Sequence, residues 1–500
     1  MCIGLAISAS VAANPEKGTH MASSVVTWPA PAGEPASTDY KLEVGGIPVF
    51  VHPARVRAEI LQNDGLWTHK RDCGGERAAF AIFDIAGAVK VKIKPSHPFT
   101  SATVLPARAG IKPEIVGGCI SFNIGKPQHL TVLLDGSDST PLHLFIGEPE
   151  KNAPKAGDPD VVYFGPGIHE IETLEIKSGQ TVYLAGGAIV KGILRPGEAG
   201  TYNEKWKVTF YNGVIFLMNN VENVCICGRG IIDGSLVPHP GRNMICMNGS
   251  KNIRLEGIML KDAPNWNVLI SSSRNVRVDD LRIVSGRLNS DGINSVNSSD
   301  VRIIRCFVRN HDDSIVVKTT RQGLPSEDIA VENCQLWSDW GYSIGVTYET
   351  RSPIQRVAYR NCDVLYARHW CMGVYLSDSS TVSDISFSGI EIADLANASK
   401  LAGAHKALSA APKLLRMAIV QDCWGNDPER GRIRKITIDG VTVHGSTMLA
   451  SEIFGFDAEH DIQGVNIRNV HLSGQPPVTD TKGLHLEQNA FVKDLGISAK

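Results

Sequence analysis

No run of this sequence reaches the ~18–20 consecutive apolar residues that a membrane-spanning helix needs, so no helical membrane anchor is expected. Charge of one sign is equally scarce. Lys and Arg number 50 against 52 Asp and Glu, a formal charge of -2. Without a strong field, neither nucleic acid nor an acidic membrane surface is expected as a partner. Aromatic residues make up only 6% of the chain. What is plentiful is glycine, 48 residues of it, among short runs of Val and Ile, a composition of turns and strands rather than long helices. At 500 residues the chain holds two or more domains, or one repetitive domain.

The opening, Met1 to Lys17, resembles the apolar part and small-residue end of a secretory leader, although basic residues ahead of the apolar run are missing. It implies a secreted or periplasmic protein. Gly18 to Ser23 also fits a cloning remnant, so residues 1–38 are read as a leader-like or disordered tail. The cysteines, 11 in all, are an odd number. Cys306, Cys334 and Cys362 sit in the strand-like runs IIRCFV, VENCQLW and YRNCDVL, and are expected as buried small hydrophobes rather than disulfides or metal ligands. Cys225 and Cys227 have the wrong spacing for a zinc pair and are assigned to a strand.

From about Asn220 one phrase recurs: NIRLEGIMLKDAP, NVRVDDLRIVSGR, DVRIIRCFVRNHD, DIAVENCQLWSDW, RVAYRNCDVLYAR. Aligned, it puts Ile258, Leu281, Cys306, Cys334, Cys362, Ile390, Val441 and Val470 in one column, at steps of 23, 25, 28, 28, 28, 51 and 29. Val and Ile alternate between Asn, Asp or Gly corners, so each unit is one turn of a coil of strands that buries its apolar side only by stacking on the next. The expected fold is all-β: a right-handed parallel β-helix with rungs ~4.8 Å apart. The step of 51 is read as a further coil carrying a long inserted loop.

A second column holds Val268, Ile293, Ile315, Ile344 and Val374, and two residues before each stand Trp266, Asp291, Asp313, Tyr342 and Met372. Acids stacked in a dry interior would be prohibitive. These positions are therefore expected where the strand bends outward at its start, as a stripe on the outer wall. With Asp312 beside Asp313, three carboxylates converge. An Asp pair alone is usually a solvated corner; the shared register with Asp291 and the flanking Trp266, Trp340 and Tyr342 set this one apart. Glycoside hydrolysis uses one carboxyl to protonate the leaving oxygen and another to attack or to activate water, and an inverting pair spans roughly 6.5–9.5 Å. Crowding raises one pKa and keeps a proton for the acid. Aromatic plates suit pyranose rings. Lys318, ending the same strand, either meets a carboxylate or substrate, or is a solvated strand-end lysine.

The motifs NSDGI, Asn289–Ile293, and DDSIVVK, Asp312–Lys318, resemble the Asn-Thr-Asp and Asp-Asp motifs of the polygalacturonase family, glycoside hydrolase family 28, whose clan includes the dextranase and isopullulanase family 49. Val162 to Gly192 and the phrase NVCICGRGIIDG are similar to the opening coils of such enzymes, and the resemblance covers roughly Asp160 to Ser473. It implies an inverting polysaccharide hydrolase in which Asp312 is the general acid and Asp291 and Asp313 position and deprotonate water. Trp266, Asn289, Lys318, Trp340, Tyr342 and Tyr375 are the candidate substrate-binding residues. No motif requires a metal or other cofactor. Two departures bear on substrate. Trp340 stands where the polygalacturonases carry the histidine of Gly-His-Gly, and Tyr375 and Ser377 replace the two cations of Arg-Ile-Lys. Losing those cations points to a neutral or non-galacturonate glycan.

Residues 39–147 read as a small β-sandwich, 148–160 as a linker, 161–473 as the β-helix and 474–500 as a C-terminal tail. The sandwich either caps the first coil or holds substrate, with the cap preferred. Two other classes compete: a β-helix lyase, which would want a calcium site and a basic residue near the acids, and a non-catalytic glycan-binding β-helix. The partner in every case is a polysaccharide or oligosaccharide, and oligomeric state is not legible.

Overall fold

The computed structural model describes residues 25–56, 58–63, 66–73, 77–204, 208–395, 412–445, 449–473 and 475–499. The leader-like opening and the centre of the insertion, residues 396–411, lie outside them. Apart from one 3-10 turn at Ala107–Ala109, the regular structure of the described residues is all β.

From Val161 to Ser498 the chain winds a right-handed parallel β-helix with three walls. Apart from the antiparallel pair Thr201–Asn203 and Val208–Phe210, the strands of the walls pair in parallel with their counterparts a turn later: Arg274–Asp279 with Ser299–Ile304, Arg282–Val284 with Phe307–Asn310, Ile293–Val296 with Ile315–Thr319. The repeat explains the corners. Immediately before Leu281, Cys306, Cys334, Cys362 and Val470 stand Asp280, Arg305, Asn333, Asn361 and Asn469, all with φ between 52° and 56°. Before Ile258, Ile390 and Val441 stand glycines, Gly257, Gly389 and Gly440, with φ of 73°, 63° and 71°. A left-handed residue turns the chain, and Gly, Asn and Asp adopt that conformation most readily. The anchor that follows is thrown inward, and all eight are at most 1% exposed. The three strand cysteines are free thiols that stack in the interior, each facing a backbone carbonyl one turn back. The step of 51 is a single turn with extra chain, because Ile390 faces Val441 directly.

Two boundaries differ from the sequence reading. Leu486–Gln488 and Val492–Ser498 pair with Ser451–Ile453 and Ile462–Arg468, so residues read as a tail add another turn. One register also shifts. Val268, Ile293, Ile315 and Ile344 align as expected, but Ile344 faces Met372, not Val374. A slip of two residues keeps every side chain on the same face, so the apolar pattern accepts either pairing. The outer position after Tyr342 is therefore Trp370, while Met372 lies in the core.

The N-terminal region is a sandwich of two facing, mainly antiparallel sheets. It takes in Val25–Val26, ahead of residue 39, which pairs with Asp84 and Ile85. Strand Arg77–Ile85 is buried along its whole length after Arg77. Its alternation sends Ala79, Ala81, Phe83 and Ile85 into the sandwich core and Ala78, Phe80 and Ile82 onto the β-helix. In Leu142–Gly147, Phe145 likewise packs on the coil. Ion pairs Arg229–Asp84, Arg55–Asp262 and Arg108–Asp363 tie the two parts together over several rungs. The sandwich thus lies lengthwise along one wall, instead of only covering the end of the first coil, because its central strands are apolar on both faces.

Candidate active site

The turn at residues 311–314 carries the chain from strand Phe307–Asn310, on one wall, to Ile315–Thr319, on the next. Asp291 occupies the equivalent turn one rung earlier, since Ile293 faces Ile315. Ile293 and Ile315 belong to the interior core, whereas Val316, Tyr342 and Tyr375 form a separate apolar cluster outside it. The acids thus sit where the chain swings outward. Two glycines permit the close crossing: a Cβ on Gly292 would come 2.2 Å from the Ser314 carbonyl oxygen, and one on Gly341 would come 2.5 Å from the Asp313 nitrogen.

One oxygen from each of Asp291, Asp312 and Asp313 lies within 4.8 Å of the other two. Backbone contact between adjacent rungs, the Gly292 N–H donating to the Asp313 carbonyl at 2.8 Å, draws the acids together. Asp291 and Asp313 are 2% and 1% exposed, and Asp312 alone of the three is partly open to solvent. Asp313 accepts from the Tyr342 backbone N–H at 2.9 Å and from Thr347 Oγ1 at 2.8 Å, and Lys318 Nζ lies 3.3 Å away. Asp291 accepts from Asn294 Nδ2 at 3.0 Å, and Asp312 accepts from the Asp313 N–H at 2.9 Å. Asn310 clamps the turn by donating to the carbonyls of both Asp312 and Asp313.

Burial, then the charge of Asp313, pushes the Asp312 pKa up to about 7. Burial and Asp312 push Asp291 well above the ordinary carboxyl range, against the pull of Lys318. Desolvation opposes charge on Lys318, but Glu349 and the three aspartates outweigh it and hold the ammonium firmly protonated. The oxygens are close enough for a divalent cation to bridge, and Lys318 already supplies positive charge there. Lys318 is 4% exposed, so it is no solvated strand-end lysine.

Trp266 is half-buried, with the Lys318 ammonium 5.6 Å from its ring. Trp340 is half-buried too, parallel to His311 at 6.1 Å and 4.3 Å from His369. Asn289 is exposed at φ 53° and makes no hydrogen bond to the acids among the described residues. Two expected sugar plates are corrected. Tyr342 is 1% exposed, its ring filling the space over Gly373, where a Cβ would come within 2.3 Å of it. Tyr375 is 7% exposed and its hydroxyl donates to Asp422. Both support the wall rather than line a groove: Tyr342 fills the hollow that Gly373 leaves, and Tyr375 packs against it in the same apolar cluster.

Several neighbours escaped the sequence reading. Half-buried Trp370 stacks on Tyr342 at 6.0 Å. Arg416 lies 4.8 Å from the Trp370 ring centre and 4.7 Å from that of Tyr375, and Lys413 lies 4.8 Å over Trp370. Cations thus return to this wall from the following rung, where both pair with Glu452. The correct register would have placed Lys413 in the column of the acids, since it faces Trp370.

The family model for glycosyl hydrolases family 28 matches residues 170–401. A probable polygalacturonase of Vitis vinifera is 24% identical over 29% of this chain and 34% of its own length. A polygalacturonase of Medicago sativa is 22% identical over 52% of this chain and 64% of its own. The chain therefore spans less than two thirds of the length of either relative. Among solved structures, Dex49A from Penicillium minioluteum superposes with a TM-score of 0.63 at 16% identity, covering 98% of this chain and 100% of that one. Profile, relatives and fold agree with the motifs: the chain is similar to the polygalacturonase/dextranase clan of β-helix glycoside hydrolases.

Proposed function

We propose that this protein hydrolyses glycosidic bonds of a polysaccharide or oligosaccharide, with Asp312 as general acid and Asp291 and Asp313 holding and deprotonating the attacking water. The observation that carries the reading is Asp312 itself: partly exposed, with a pKa pushed up to about 7, above two buried carboxylates and Lys318. Its proton passes to the glycosidic oxygen as the carbon–oxygen bond breaks, and the water attacks the anomeric carbon, giving its proton to the remaining carboxylates. The family resemblance supports attack from the far face and inversion, with Asp291 and Asp313 acting together on one water.

Trp340, Tyr375 and Ser377, in place of the motif histidine and two cations, favour a neutral, dextran-like glycan. Arg416 and Lys413 beside Trp370 favour a second reading, an acidic glycan. A polymeric substrate fits a secreted or periplasmic enzyme. The test is reducing-end release from dextran, pullulan, polygalacturonate and sulfated algal glycans, beside Asp312→Asn, with the first-formed anomer read by proton NMR. Release from a neutral glycan, its loss in the variant and an inverted anomer are expected. Release from polygalacturonate selects the second reading, a retained anomer makes Asp291 or Asp313 a nucleophile, and full activity in the variant sinks the site assignment.

A further inference from the structure

Behind the turn that bears the acids lies a buried polar network with no part in the hydrolytic steps. Arg309 is the penultimate residue of strand Phe307–Asn310, Asp339 follows strand Gln335–Ser338, and both are 0% exposed. Arg309 Nε donates to Asp339 Oδ2 at 3.4 Å, Trp337 Nε1 donates to Asp339 Oδ1 at 3.1 Å, and the guanidinium lies 4.4 Å from the Trp337 ring centre. A third member comes from the sandwich: His143, 0% exposed, whose Nε2 is 3.2 Å from Arg309 Nη1. A guanidinium only donates, so Nε2 is the acceptor. The imidazole proton then sits on Nδ1, 2.8 Å from Thr131 Oγ1. Burial and the nearby Arg309 charge hold the His143 pKa well below its usual value, in keeping with a neutral ring.

The network grips both ends of the turn. The Asp339 N–H donates to the Asn310 carbonyl at 2.9 Å. Asn310 Nδ2 in turn holds the carbonyls of Asp312 and Asp313, at 2.8 and 2.9 Å. Just past Asp339, the Tyr342 N–H holds the Asp313 carboxylate. A shift of either buried charge is passed to the acids through one or two hydrogen bonds. Shielding an apolar wall would need no acceptor at position 143, since Phe145 already packs there against Phe307.

We propose that His143, supplied by the sandwich, is a positioning residue for hydrolysis: by accepting from Arg309 it fixes the Arg309–Asp339 pair, and through it the Asp312–Asp313 turn. The inference rests on the role proposed for Asp312. A displacement of the acids of about 1 Å costs on the order of a hundredfold in rate, so a loss of roughly 10- to 100-fold in kcat is expected for His143→Leu, with KM within about twofold. His143→Gln, whose carbonyl can accept from Arg309, should recover most of it. Thr131→Val frees Nδ1 without touching Arg309, and should lower kcat more mildly at unchanged KM. The full chain would be assayed on whichever panel glycan it cleaves, with hydrogen exchange of residues 307–314 measured alongside. Unchanged kcat in His143→Leu, or no recovery in His143→Gln, overturns the proposal while Asp312 keeps its role. If His143→Leu does not fold, Thr131→Val decides, unchanged kcat overturning the proposal. If Asp312→Asn remains active, the acid assignment fails, and faster exchange at 307–314 in the His143 or Thr131 variant still establishes the brace, whereas unchanged exchange removes it.

Discussion

Asp312 is placed under opposing demands, and its two consequences can be measured in one variant. Its raised pKa means that the protonated acid persists to about pH 7, so turnover should fall as pH rises through that value. The sign for stability follows from the same shift. A carboxyl whose folded pKa lies above the ordinary ~3.9 contributes stability that is fully present below that value and lost as pH rises through about 7. Asp312→Asn carries no charge at any pH. It should lose at least ~10²-fold in kcat and yet melt higher than wild type at pH 8, the difference closing toward pH 4. A lower melting temperature at pH 8 would show that the ionised acid is stabilised by its surroundings instead. The pairing of Asp291 with Asp313 was legible, because a one-rung register follows from the apolar anchors. That Tyr342 is buried was not, since exposure depends on Gly373, a full turn away.

At the scale of the element, the third wall works because glycine leaves room where rungs cross. Gly373→Ala would drive a Cβ to within 2.3 Å of the Tyr342 ring, whose backbone N–H holds Asp313. Overpacking of this kind costs about 1–3 kcal/mol, and kcat should fall with it. Gly125→Ala, with nothing within 4 Å of the added Cβ, serves as the control and should leave the melting temperature and kcat unchanged. Equal effects from the two would mean that the Tyr342 ring moves aside freely. Walls and corners were readable because a left-handed Asn, Asp or Gly precedes every anchor except Cys306, where Arg305 takes that conformation. The register between Ile344 and Met372 was not, since a pattern of period two is blind to a shift of two.

Across the whole molecule, sandwich and coil share buried charge as well as apolar surface. Asp84 is 0% exposed, its pKa pushed up to about 6 by burial against the pull of Arg229. Arg229→Met strands that carboxylate, and removing one partner of a buried pair costs about 3–5 kcal/mol. Thermal melting of the full chain should show the loss at pH 8 and a smaller one at pH 5, where Asp84 can take up a proton. No change at pH 8 would mean that the two parts are held by their apolar contact alone.

The amino-acid sequence by itself determined the coil: its period, its corners, its inward column of Ile, Val, Leu and Cys, and the convergence of Asp291, Asp312 and Asp313. These follow from neighbours along the chain and from one-turn repetition. Where the sandwich lies, which aromatics are buried, how closely the acids approach and the return of Arg416 and Lys413 to the wall were decided only in the tertiary structure. Strand Arg77–Ile85 is apolar on both faces, and such a strand states that it will be covered twice without saying by what. The partner surface is assembled from residues more than a hundred positions away, and no local pattern carries that information.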